Sequence, residues 1–269
     1  MDHLRRSQAP LSERAWEQID QEAVRTLRHF LVARALVDFT GPKGWDHSAE
    51  TIGQVTPAGD SRADGVQVAV RAVQPLAELR TTFTVSLAAM DNIDRGAVSP
   101  DLDPVTAAAK SAALAEDRAI FDGYDAAGIT GIGSGSPHAS VTISDNYDQY
   151  PGAVARAVAA LRAEGISGPY AVALGPRCYT GVIETTEHGG YPVLEHIRLI
   201  AGGTVIWAPG IDGAVVVSTR GGDYEFVCGQ DFSIGYSGHD GDAVELYLEE
   251  SFTLLVHEPK AAIALRYPD

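Results

Sequence analysis

Residues 66 to 87 place the tightest limit on what this chain can fold into. Val66, Val68, Val70 and Ala72 alternate with Gln67, Ala69 and Arg71. After QPLAE, Leu79, Thr81, Phe83, Val85 and Leu87 alternate with Arg80, Thr82, Thr84 and Ser86. Period-two alternation marks strands with one apolar face, and two such runs in sequence predict a long two-stranded ribbon. A ribbon by itself is at best marginally stable in water. It must therefore lie on its own domain or on a neighbouring subunit.

The flanking segments carry a helical period. Ser12 suits an N-cap, and Trp16, Ile19, Ala23, Leu27 and Phe30 recur at threes and fours, which predicts a helix over 12–34. LVDF (36–39) reads as a short strand. Asp103 and Pro104 open a second, alanine-rich helix expected over 104–126, with Gly128 at its end. Pro151 to Gly165 reads as a third. Next come a strand (170–174), helices at 176–186 and 193–200, and a strand at 204–208, a stretch with α/β character. AVVVSTR (214–220), Gly221-Gly222 and DYEFVC (223–228) give a hairpin signal. From Val244 to Val256 the chain alternates again, with Val244, Leu246, Leu248, Phe252 and Leu254 on one parity.

Composition narrows the function classes. The 269 residues are 45% hydrophobic, enough for a sizeable core. Twenty Lys plus Arg face 36 Asp plus Glu, a net charge of -16. Phosphate backbones and anionic membranes call for clustered cations, so neither nucleic acid nor membrane is an expected partner. Cys178 and Cys228 form no CxxC pair and read as two buried thiols. MDHLRRSQAP lacks the apolar core of a signal peptide, and FLVARALV is far short of a membrane span. A cytoplasmic location is expected.

The most chemically suggestive stretch is SGHDGDAVELYLEE (237–250). Its carboxylates cannot converge, because a strand sends Glu245 and Glu249 to one face and Glu250 to the other, while Asp240 and Asp242 sit in a turn. A solvated strand face plus an acidic turn is expected, with Glu250 pairing with an Arg or reaching a subunit contact. GYSGH (235–239) falls short of the nucleophile-elbow pattern, and Ser237 leads into a strand where that motif needs a helix. GIGSGS (131–136) lacks the dinucleotide spacing. No catalytic residue and no metal site is expected. HGGYP (188–192) reads as an exposed loop between two helices, either an ordinary connector or a segment that lines an opening.

Several phrases resemble the encapsulins, the shell proteins of bacterial and archaeal nanocompartments. They run in family order: LRRSQAPLSERAWEQID, FTVSLAAMDNIDRG (83–96), EDRAIFDGY (116–124), EGISGPY (164–170), HGGYPVLEH (188–196), WAPGIDGAVVVSTRGGDYEF (207–226) and GQDFSIGYSGHDGDAVELYLEESFTLLV (229–256). The resemblance implies an α+β fold like that of tailed-phage major capsid proteins. It assigns 1–47 to the N-terminal helix and the start of a peripheral domain, and 48–90 to an extended β-ribbon loop. The peripheral domain with its spine helix takes 91–131, the axial α/β domain 132–218, and the C-terminal β region of the peripheral domain 219–269.

The same resemblance implies a closed icosahedral shell that encloses cargo enzymes, such as a dye-decolourising peroxidase or a ferritin-like protein. Cargo is held by a C-terminal targeting peptide. Leu27, Arg34, Asp38 and Ile234 match the family's docking surface, and His188, Gly189, Gly190 and Tyr191 match its pore-lining loop. Some members bind flavin through a tryptophan where this chain has Ala88, so no flavin or other cofactor is expected. The competing readings are a phage-type capsid protein, which the acidity disfavours, and a hydrolase using Ser237 or the 239–250 carboxylates.

Overall fold

The structure, a computed structural model, describes residues 3–60, 65–187 and 189–268. Helix α1 (Glu13–Phe30) starts where the Ala15 N–H donates to Ser12 Oγ at 3.0 Å, and it buries Trp16, Ile19, Ala23 and Leu27 along one stripe. Strand β1 (Asp38–Thr40) follows. β2 (Ala49–Asp60) and β3 (Gln67–Pro75) pair antiparallel, and β4 (Ala77–Ser86) leads into α2 (Leu87–Asp94). α3 (Asp103–Asp122) is the long central helix. Its buried Ala108, Ala109, Ala112 and Ala113 have little bulk, which lets α1 and β4 approach closely.

α3 stops six residues before Gly128. Gly123 takes the end position with φ +84°, and a Cβ there would meet Gly131 N and Ile129 O at 2.9 Å. Only glycine turns the chain here, so the helix closes against the following loop.

The α/β part runs β5 (Val141–Thr142), α4 (Tyr150–Ala163), β6 (Tyr170–Leu174), α5 (Pro176–Glu184), α6 (Val193–Ala201), β7 (Val205–Trp207) and β8 (Ala214–Ser218). The chain ends with β9 (Tyr224–Cys228), β10 (Ser233–Asp240), β11 (Ala243–Val256) and β12 (Ala262–Arg266). One five-stranded sheet has the order β5-β12-β8-β6-β7. The other runs β1-β9-β11-β10, with β4 also paired to β11. The first sheet packs with α4, α5 and α6 in one core, which also takes in β9, the end of β11 and the last turn of α3; β4, β10 and the start of β11 pack against α1, α2 and the rest of α3 in another.

Three sequence expectations change. The runs at 66–75 and 77–86 do not pair with each other: β3 pairs with β2, and β4 pairs with β11 from Ala77↔Phe252 to Ser86↔Ala243. The ribbon is therefore 49–75, and the tail of the span 48–90 belongs to the body. The hairpin expected at 214–228 does not form either. β8 and β9 are almost wholly buried, and a buried strand must pair along both edges. β8 finds β6 and β12, while β9 finds β1 and β11. Gly221 and Gly222 turn the chain from one sheet to the other, with Arg220 Nη2 donating to Asp223 Oδ1 at 2.7 Å across the corner. Finally, Ala262–Arg266 does not stay with the C-terminal β region of 219–269; it returns to β8 in the sheet of the axial segment.

Phe226 is fully buried, with its ring 5.2 Å from Phe252 and 5.5 Å from Phe39. Phe226→Ala should cost about 3–5 kcal/mol, read as a lower urea midpoint with an unchanged m-value.

Candidate functional site

The β2–β3 ribbon is built and left uncovered. Every described residue from 51 to 59 and from 65 to 71 is exposed. That includes Val55, at 61%, and Val70, at 60%, with Val66 and Val68 beside them. At about 3.3 Å per residue, β2 reaches roughly 40 Å. Its base is tied down by Gln74, whose Nε2 donates to Gly128 O at 2.9 Å and Thr253 Oγ1 at 3.2 Å. Register irregularities between Thr51 and Val55 and between Pro57 and Asp60 bend the ribbon, with Gly53 and Gly59 at positive φ. A long apolar ribbon without cover is an interaction surface.

A second exposed feature caps the α/β part. The Glu187 N–H donates to Tyr191 O at 2.8 Å, and the Gly190 N–H donates to Glu187 O at 2.9 Å. These bonds close a tight loop through Gly189 and Gly190, both at positive φ. Glu187 Oε1 lies 2.7 Å from His196 Nδ1, and Tyr191 is 49% exposed beside it. His188, expected to line this loop, lies outside the described residues.

The third feature lies just after α1. Arg34 Nε and Nη2 donate to Glu116 at 2.8 and 2.6 Å, Nη1 donates to Asp231 at 2.9 Å, and Nη2 also pairs with Glu250. The guanidinium carbon is 4.9 Å from the centre of the Phe226 ring, a cation–π contact. Glu116 and Glu250 are sealed from water, whereas Asp231 is open. Burial disfavours the Arg34 cation, but the Glu116 bonds and the Glu250 charge outweigh it and raise its pKa. Next to it, Asp117 Oδ1 accepts the N–H groups of Val32 and Ala33 at 3.1 and 3.0 Å. The turn that carries Arg34 is thus held by side chains from α3, β11 and the loop after β9.

A family model described as "Encapsulating protein for peroxidase" matches residues 1–253. The chain is 48% identical to the type 1 encapsulin shell protein of Rhodospirillum rubrum, over 99% of this chain and 97% of that one. The chain belongs to the encapsulin shell-protein family. Its fold is also that of the virus-like particle from Pyrococcus furiosus, with TM-score 0.68 at 18% identity over 93% of this chain and 98% of that one. The capsid of Myoviridae phage XM1 gives 0.54 at 12% identity over 86% and 90%. The α+β architecture is the capsid fold.

The four positions matched to the encapsulin docking surface do not share one environment. Leu27 and Ile234 are 7% and 4% exposed, in the core between α1 and the sheet. Arg34 is the hub of the ion cluster. Asp38 is exposed, and its Oδ2 accepts the Gly222 N–H at 2.6 Å. It borders a cleft of about 100 Å³ with Leu36, Thr219 and Asp223. Ala88 sits exposed in the first turn of α2.

The acidic stretch divides differently from its strand parity. Glu250 does pair with an arginine. Glu249 was expected on a solvated face but is 6% exposed, because the N-terminal segment lies over that face: Tyr236 N–H donates to Leu4 O at 2.8 Å, and His3 Nε2 is 3.8 Å from Glu249. Ser237 is exposed at an irregularity of β10, and the neighbouring His239 ring is engaged by the Tyr236 hydroxyl. Among the described residues, Cys228, Asp231 and Glu250 bring ligand atoms within 4.8 Å of one another. Sequence reading missed that grouping, since the residues lie on two segments, and the carboxylates there are already engaged by Arg34. Both cysteines are buried free thiols. No helix of the described residues is long and apolar enough to cross a membrane.

Removing one partner of a buried ion cluster leaves the others uncompensated. Arg34→Ala should therefore cost about 3–5 kcal/mol in urea unfolding; loss of cargo in an Arg34 variant reports on folding before it reports on docking.

Proposed function

We infer that this chain is the subunit of a closed icosahedral shell, a cytoplasmic nanocompartment that holds cargo enzymes and has no chemistry of its own. The uncovered ribbon is the observation that carries the reading. Its strands satisfy each other's hydrogen bonds on one edge only, and its valines stay in water unless a second copy covers them. A standard stable interface buries ~1,600 Å² in total. Ribbons exchanged among several neighbours add many such contacts, and their combined strength closes a cage.

Within that reading, the cargo is a peroxidase of the dye-decolourising type or a ferritin-like protein, tethered by its C-terminal peptide. The peptide docks over the end of α1, on the surface assigned to Leu27, Arg34, Asp38 and Ile234. Asp38 offers an exposed carboxylate and Phe39, 43% exposed, an apolar platform. Leu27, Ile234 and the Arg34 cluster form the support beneath. The loop with His188, Gly189, Gly190 and Tyr191 lines the pore, and no resident cofactor is required.

Val68 and Val70 share one face of β3. The double change Val68→Asp, Val70→Asp should leave the subunit folded by circular dichroism and abolish large particles in light scattering. Uniform particles from that variant would remove the ribbon from assembly. Wild-type particles should carry no nucleic acid by their 260/280 nm absorbance ratio; nucleic acid inside would favour the capsid reading. Mass spectrometry of co-purifying proteins identifies the cargo.

A further inference from the structure

The charges around Arg34 do not balance. Glu116, Glu250 and Asp231 converge on one guanidinium. Asp231 is hydrated, but Glu116 and Glu250 are 0% and 1% exposed, and one cation cannot neutralise both. Glu250 Oε1 accepts from Arg34, while its buried Oε2 has no hydrogen-bond partner among acceptor-only carboxylates. Glu116 Oε2 and Glu250 Oε1 both accept from Arg34 Nη2, which holds the two buried carboxyl groups side by side. Burial, and then the Glu116 charge, push the Glu250 carboxyl well above the ordinary range, so a proton belongs on Glu250.

We propose that the buried Glu250 carboxyl carries a proton, that this proton latches the turn after α1 to the body of the subunit, and that its loss at alkaline pH loosens residues 32–36. The consequence for cargo, a loosened docking surface, rests on the shell reading above.

Around Glu250, burial, Glu116 and Asp231 disfavour ionisation, and Arg34 favours it. The turn supplies Arg34, α3 supplies Glu116 and Asp117, β9 and its following loop supply Cys228 and Asp231, and β11 supplies Glu250. Arg34 is the single cation among them, and it stays charged. Burial pushes Asp117 up to about 7 and Cys228 up to about 12. A carboxyl whose folded pKa is raised favours the fold below its unfolded pKa, and that advantage disappears as pH climbs through the folded value. Each further deprotonation adds a negative charge to a site with no new cation. Asp117 accepts from Val32 and Ala33, bonds that favour its ionised form, so the loosening comes from charge building up around Arg34 and not from loss of these bonds.

Hydrogen exchange of assembled particles at pH 6 and pH 9, corrected for the intrinsic rate, reads the latch. Protection of peptides covering 32–36 should fall about tenfold or more. Glu250→Gln keeps an oxygen for Arg34 and gains an amide N–H for Glu116, with no proton to lose; its protection should change less than about twofold. An infrared band of a protonated carboxyl should be present in the wild type at pH 6, lost at pH 9, and reduced in Glu250→Gln. Unchanged wild-type protection overturns the latch, as does a Glu250→Gln shell that loosens like the wild type. Should that variant fail to fold, Asp117→Asn decides: the pH 6 band should persist in it, and its loss there assigns the band to Asp117 and overturns the latch. Failure of the shell reading looks different: wild-type protein at pH 6 without large particles.

Discussion

The pairing of β11 organises the rest of the subunit. Its fourteen residues hold β4 along Ala243 to Phe252, β10 along Ala243 to Glu249, and β9 from Phe252 onward. One strand thus joins the segment leaving the ribbon, the acidic turn and the strand beside β1. Its inward parity buries Val244, Leu246 and Leu248 against α1 and α3. The same parity delivers Glu250, four positions after Leu246, to Glu116 of α3 and to Arg34. A charged residue in the register of an apolar stripe is tolerated because its partners arrive from two other elements.

That cluster locates the end of α1 more than it strengthens the fold. Buried ion pairs gain little net stability over apolar packing, but they penalise any arrangement that separates their members. Arg34 can meet Glu116, Asp231 and Glu250 together in one position of the turn only. Of the positions matched to the family's docking surface, Arg34 lies in that turn and Asp38 in β1 just after it, so their placement depends on the cluster beneath. The ribbon represents the opposite strategy. It is fixed at its base by Gln74 and otherwise left to a partner, since β2 and β3 bury almost nothing of their own.

Local periodicity was a good guide wherever one element decides its own shape. α1 and β6 through α6 lie close to where spacing and caps predict them, because hydrogen bonds within a helix and a Ser12 cap need no distant residue. Strand partners were not legible. The runs 66–75 and 77–86 carry the same alternation, and a period of two names a face without naming a neighbour. Gly221-Gly222 is a sound turn signal, yet the turn it makes leads from one sheet to another. For the candidate site, the resemblance placed residues on the α1 end and the loop; Leu27 lies in the apolar stripe whose spacing predicts its burial, but the enclosure of Arg34 by acids was not readable from its position in the sequence.

By itself the sequence determined the family, the mixed helix-and-strand class, and the need of the alternating run for cover from its own domain or from a neighbour. Each of these follows from order, period or composition along the chain. The tertiary structure alone decided which strands pair, that Glu249 is covered by the N-terminal segment, and that Arg34 is enclosed by acids. Those contacts join residues 82, 197 and 216 positions apart. Electrostatics and burial act through space, so no local pattern records them.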